Sequence, residues 1–226
     1  MVTVSTGAPE TPVTRVLLTD GHRSFVEALA MLLDAVDGVE VIAAVTRPEE
    51  ALNVVRSRSV DIAVLTVDGV RDGCLSLAPE FRAAQPELRL VAVADSEDVA
   101  ILARAVRAGF RAWVPKSGGI AALVDVLQAV LRDETRIPPH LLTRLLPLLL
   151  QEQEERYAAK AVLAGLTARE RQVLQAMVDG STRQEIAEDL EISMNTLRTH
   201  MQSILGKLGV HASLAAVVIA RRAGLG

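Results

Sequence analysis

From Arg15 onward, short apolar runs alternate with stretches in which apolar residues recur every three or four positions. The runs VLLT (16–19), VEVIAAV (39–45), DIAVLTV (61–67), LRLVAVA (88–94) and RAWVP (111–115) have strand length and are rich in Val, Leu and Ile. Around them the spacing predicts helices from about Arg23 to Ala35, Pro48 to Arg56, Leu75 to Ala84, Glu97 to Ala108 and Ile120 to Leu131. Near-continuous apolar strands separated by helices imply a parallel sheet covered on both faces. Right-handed crossovers in a unit of this size favour the doubly wound strand order 2-1-3-4-5. The expected fold class is therefore α/β, a five-stranded flavodoxin-like sheet. Its working site should lie at the carboxyl ends of the strands, near Thr19 to Gly21, Thr66 to Asp68, Ala94 to Ser96 and Pro115 to Lys116.

Beyond Leu131 the pattern becomes helical throughout. Pro138 and Pro139 mark a break, and Leu141, Leu142, Leu145, Leu146 and Leu149 fall on one helical stripe, with Pro147 expected to bend or restart the helix. The charged patch Glu152, Glu154, Glu155 and Arg156 continues this segment, which serves equally well as a solvated connector or as part of a dimer interface. Thr167 with Glu170 has capping-box spacing for a helix whose core face is Val173, Leu174 and Met177. Ser181 or Thr182 with Glu185 repeats that spacing before Ile186, Ala187 and Leu190, and Ser193 can cap a further helix only two residues after Leu190 ends its predecessor. That last helix has an apolar stripe of Leu197, Met201, Ile204, Leu205 and Leu208, and an opposite face of Asn195, Arg198, Thr199, Gln202 and Ser203 that lacks carboxylates. Two helices so joined describe a helix-turn-helix, or any αα-hairpin. After Gly209, Ser213 is placed to cap a final helix bearing Leu214, Val217 and Val218.

Residues 166 to 225 resemble the LuxR-type DNA-binding domain of the NarL/FixJ response regulators. The ordered positions that carry the likeness include Thr167, Arg169, Glu170, Val173, Leu174, Gly180, Ile186, Ala187, Leu190, Ser193, Thr196, His200, Lys207, Leu208, Gly209 and Val210. The resemblance implies binding to double-stranded DNA through Arg183, Ser193, Asn195, Thr196, Arg198, Thr199, Gln202 and Lys207, with Arg198, Thr199 and Gln202 on base edges and Lys207 on phosphate. It also implies pairing of two DNA-binding domains through the final helix, at Leu214, Val217 and Val218. The α/β unit looks like the receiver domain of the same family. Such a domain places an acidic pair after strand one, an acceptor Asp at the end of strand three, a hydroxyl after strand four and Lys after strand five. Here those positions read Asp20 with Gly21, Thr66, Ala94 and Lys116. A threonine forms no acyl phosphate, Gly21 offers no metal ligand, and Ala94 has no hydroxyl, so the resemblance implies an atypical pocket. Asp68 lies two residues past the acceptor position. The pocket is expected to hold an Asp20–Lys116 ion pair or to accept a small ligand, or else the unit serves only for dimerisation.

The expected division is a tail over 1–14, the receiver-like domain over 15–133, a helical linker over 134–164 and the DNA-binding domain over 165–226. Composition narrows the function classes. Net charge is −4, yet residues 166 to 226 carry 7 Lys/Arg against 6 Asp/Glu, so DNA affinity must rest on local placement of cations and on dimerisation, as a homodimer or with another response regulator. The single cysteine, Cys74, excludes an internal disulfide and suits a reducing compartment. The four histidines are scattered, and no nucleophile–base pair, phosphate-binding glycine loop or metal-ligand cluster is visible, so neither an enzyme nor a cofactor is expected. The start of the chain lacks the apolar block of a signal peptide, and the Leu-rich run at 141–150 is too short to span a bilayer, which predicts a cytoplasmic protein.

Overall fold

The computed structural model describes residues 13–67 and 73–225, and divides them between two compact units, Met1–Leu146 and Pro147–Gly226. In the first unit, β1 (Thr14–Thr19), α1 (Arg23–Asp34), β2 (Val39–Val45), α2 (Pro48–Ser57), β3 (Ile62–Thr66), α3 (Gly73–Ala84), β4 (Arg89–Ala94), α4 (Val99–Ala108), β5 (Phe110–Pro115) and α5 (Gly119–Leu131) follow one another. The sheet is fully parallel, in the order β2-β1-β3-β4-β5. Successive strand residues face opposite sides. Val16, Leu18, Ile62, Val64, Val91 and Val93 pack on one side with Val26 and Leu33 of α1 and Leu123, Leu127 and Val130 of α5. The alternate residues Leu17, Ala63, Leu65, Leu90 and Ala92 are buried on the other, as are Phe81 of α3 and Leu102 of α4. This two-sided burial is why the central strands read as unbroken apolar runs.

The polar ends of these elements fix their lengths. Asp98 accepts the Ala100 amide and starts α4, which Gly109 ends in the left-handed region (φ 95°), a conformation favourable to glycine. Arg136 adds a parallel bridge to Ala112, its carbonyl accepting the Trp113 amide, so the first residues of the expected linker belong to the edge of the sheet. β1 likewise begins at Thr14, inside the expected tail.

α6 (Pro139–Ala164) is one helix with Pro147 inside it, where a bend or restart was expected. A proline removes one helical hydrogen bond without removing the rest, and the apolar residues on either side of it still have cores to join. Leu141 and Leu145 are buried in the first unit, and Ala159 and Leu163 join the core of the second. The five-leucine stripe is thereby split: Leu142 and Leu146 are exposed.

The second unit continues with α7 (Ala168–Val178), α8 (Arg183–Asp189), α9 (Met194–Leu208) and α10 (Ser213–Ala223). Val173, Leu174, Val178, Ile186, Leu197, Ile204, Leu208, Ala216 and Ala220 form its core. Small alanines on α10 let that helix approach closely. Among the described residues no single helix is long and apolar enough to cross a membrane. The bent pair α9 and α10 passes only by length and composition, and most of its apolar residues pack in this core.

Candidate nucleic-acid interface and receiver pocket

The helix-turn-helix is built by three side-chain caps. Thr167 and Glu170 form a reciprocal capping box at the start of α7, and Thr182, not Ser181, forms the second with Glu185. Ser193 accepts the Thr196 amide and starts α9, with its hydroxyl 2.8 Å from that of Thr196. Between α8 and α9, Glu191 adopts φ 52°, and the Ile192 amide donates back to the Ala187 carbonyl at 2.9 Å. This left-handed residue turns the chain sharply enough for Ser193, the cap of α9, to follow two residues later. Arg169 secures the turn by donating to the Leu190 carbonyl.

α9 then presents Asn195, Thr196, Arg198, Thr199 and Gln202 to solvent, while Leu197, Met201, Ile204 and Leu208 are buried. Arg183 of α8 is exposed beside them, and Arg183, Arg198 and Gln202 border one small cavity. The hydroxyl of Thr199 donates to the Asn195 carbonyl at 3.1 Å.

Two residues of the expected polar face have partners inside the domain. Ser203 donates to Oε1 of Glu170 at 2.6 Å, and the Lys207 ammonium meets Oε2 at 2.7 Å. Glu170 is only 4% exposed, and its Oε2 also accepts the Thr167 amide. Lys207, then Ser203, hold its pKa down to about 2 against the opposing effect of burial. Ser203 thus turns inward from the expected outer face, and Lys207, expected on phosphate, ties the end of α9 to the start of α7 while its side chain stays part-exposed. Their partner is more than thirty residues away in the chain, beyond the reach of helical periodicity.

One further expectation is corrected on α10. Its cap position is Ala212, which makes no side-chain cap bond, and Ser213 is the first helical residue. Of the three residues expected to pair two domains, Leu214 is 74% exposed and Val218 is 44% exposed, but Val217 packs against the domain core.

At the carboxyl ends of the strands the receiver unit gathers Asp20, Thr66 and Lys116. Asp20 is 3% exposed, and both its oxygens are occupied. Oδ2 accepts from the Thr66 hydroxyl at 2.6 Å and meets Lys116 Nζ at 2.7 Å. Oδ1 accepts the His22 amide at 2.7 Å and lies 3.1 Å from His22 Nδ1. Burial alone would raise the Asp20 pKa, but the bonds from Lys116, Thr66 and the His22 amide outweigh it and hold the carboxyl below its ordinary range. Burial likewise opposes the charge of Lys116, and Asp20 and Asp95 outweigh it in turn. The Lys116 ammonium also sits 4.7 Å from the centre of the Phe25 ring. Gly21 adds no side chain and Ala94 is buried at the end of β4. Asp68 lies outside the described residues. His22 and Phe25 carry no signal for this pocket in the sequence, and Asp95 lies within the expected Ala94 to Ser96 segment without a role assigned to it.

A doubly wound sheet unit followed by a four-helix unit with a helix-turn-helix defines a two-domain DNA-binding regulator. Residues 164–220 match the family described as bacterial regulatory proteins, luxR family. The chain is 27% identical to the transcriptional regulatory protein LiaR of Bacillus subtilis, over 92% of its own length and 97% of LiaR. It is 25% identical to the response regulator GacA of Pseudomonas viridiflava, over 93% and 97% of the two. RcsB of Salmonella typhimurium shares its fold at a TM-score of 0.52 and 21% identity, over 93% of this chain and 99% of that one. A second structure holds two RcsB dimers bound to two parallel DNAs, at a TM-score of 0.52 and 20% identity, over 93% and 98%. Residues 164–220 are thus a LuxR-family DNA-binding domain, and over its whole length the chain is similar to response regulators that act as transcriptional regulators.

Proposed function

We propose that this regulator binds its operator without phosphorylation of the receiver, and that it does so as a dimer on inverted half-sites. The observation that carries the reading is the Asp20 carboxylate, whose two oxygens are already taken by an ammonium, a hydroxyl and a backbone amide within the protein. Receiver phosphorylation uses a magnesium ion held by several oxygens and a carboxylate that attacks phosphorus. The described residues do not fit that ion: Gly21 contributes no side-chain oxygen, Asp20 is committed to Lys116, and Thr66 stands at the acceptor position. In this reading the Asp20–Lys116 pair holds the receiver in one state, and the unit acts in dimerisation.

On DNA, Arg198, Thr199 and Gln202 contact base edges in the major groove, and Arg183, Ser193, Asn195 and Thr196 meet the backbone around them. Lys207 acts indirectly, by fixing α9 against α7 through Glu170. A single recognition helix reads few base pairs and the DNA-binding unit carries almost no net positive charge, so two copies are required. Leu214 and Val218, one turn apart on α10, supply the exposed apolar contact, in line with the RcsB dimers on DNA.

The test is operator selection from random duplexes by the full chain in EDTA, with no phosphoryl donor, followed by mobility shift and stoichiometry. The expected result is an inverted repeat bound by two chains at an affinity well above that for random DNA. Equal binding to all sequences, or specificity that appears only after a phosphoryl donor is added, would contradict it.

A further inference from the structure

α9 carries one apolar side chain that the core does not use. Leu197, Met201, Ile204 and Leu208 are buried and Leu205 packs against the same cluster, but Met194 is 52% exposed in the first turn. It lies four residues before Arg198 and eight before Gln202, which on an α-helix is one line along one face. The structure supports that alignment independently: Met194, Arg198 and Gln202 border the same cavity of about 140 Å³, with Arg183 across from them. The line therefore runs apolar, cationic, amide from the start of the helix toward its middle.

We propose that Met194 is a specificity-determining residue that reads the C5-methyl group of a thymine in the operator. The inference rests on the reading that α9 enters the major groove. The first residues of a recognition helix reach base edges there, and the apolar feature that edge displays is the thymine methyl. Methionine suits such a contact, because its unbranched, polarizable chain adapts to a small apolar target. No acidic group shares the α9 line with it; Glu188 and Glu191 border a second cavity with Met194 on the side of α8 and the turn. Four helical residues rise about 6 Å, which sets the methyl-bearing base within about two base pairs of the one taken by Arg198.

The experiment replaces each thymine of the selected operator by uracil, one at a time, which deletes the methyl group and keeps the base pair. Affinities are measured for the full-length wild type, Met194→Ala and Met194→Leu, with folding checked by circular dichroism. One position in each half-site is expected at which dU weakens wild type about fourfold, the scale of one buried methyl group. Met194→Ala binds the dT and dU duplexes equally at that position, and Met194→Leu, which keeps an apolar end, retains a dU penalty. If no dU position weakens wild type, or if the penalty is the same in Met194→Ala, the inference is overturned while sequence-specific binding stands. A chain that binds every duplex alike would overturn both the inference and the groove-reading function beneath it.

Discussion

Arg198 and Lys207 lie on one helix and carry one charge each, yet their surroundings give them different work. Arg198 is exposed and its guanidinium meets no partner among the described residues, so Arg198→Ala should cost about 1–3 kcal/mol on the operator and relax one base position, while leaving random-DNA binding little changed. A binding-site selection repeated with the variant checks this. Equal loss on specific and random DNA would remove Arg198 from base contact. Lys207→Ala instead leaves Glu170 buried without its cation, and should destabilise the DNA-binding unit by about 1–3 kcal/mol without relaxing any base position. At the receiver pocket the same logic is stronger, because Lys116 and Asp20 are both largely buried. Lys116→Met strands a carboxylate in the sheet domain and should lower its stability by about 3 kcal/mol or more, read by urea denaturation.

At the scale of elements, the Glu170 cluster clamps α7 to α9 and should show itself in acid. The folded pKa of Glu170, about 2, lies below the ordinary 4.5, so its stabilisation is complete above pH 4.5 and is lost as pH falls from there toward 2. Melting temperature across that window should fall more steeply for wild type than for Glu170→Gln, and identical slopes would show that the cluster stabilises nothing. In the dimer proposed above, α10 offers the complementary case of an element whose exposed side matters to the partner. Leu214→Glu should leave monomer stability within about 0.5 kcal/mol, yet shift sedimentation toward monomer and weaken operator binding by about tenfold or more. Elements were the most legible part of this chain. Strand order, the caps at Thr167, Thr182 and Ser193, and the buried stripe of α9 all follow from local spacing, which sequence displays directly. Glu170 was legible only as a cap, because its bonds to Ser203 and Lys207 span the domain. Val217 shows the same limit: helical spacing places it beside Leu214 and Val218, but only packing distinguishes the residue that meets the core from those that meet solvent.

Over the whole molecule, the receiver-type unit and the helix-turn-helix unit meet different demands on charge. The DNA-binding unit keeps carboxylates off the outward face of α9 and buries the one it needs for its own fold. The sheet unit has the strand order of a receiver and places Lys116 at the strand ends, where it holds Asp20 in an internal ion pair. Resemblance made Asp20, Thr66 and Lys116 legible as one pocket before their contacts were known. The closing of that pocket by the His22 amide, the Phe25 ring and Asp95 required the folded chain. The most direct test is to incubate the full-length protein with acetyl phosphate and Mg²⁺ and to follow intact mass and operator affinity in the same samples. Unchanged mass and unchanged affinity are the predicted result. A mass gain of one phosphoryl group, mapped to Asp68 or any other receiver carboxylate and accompanied by tighter operator binding, would contradict it.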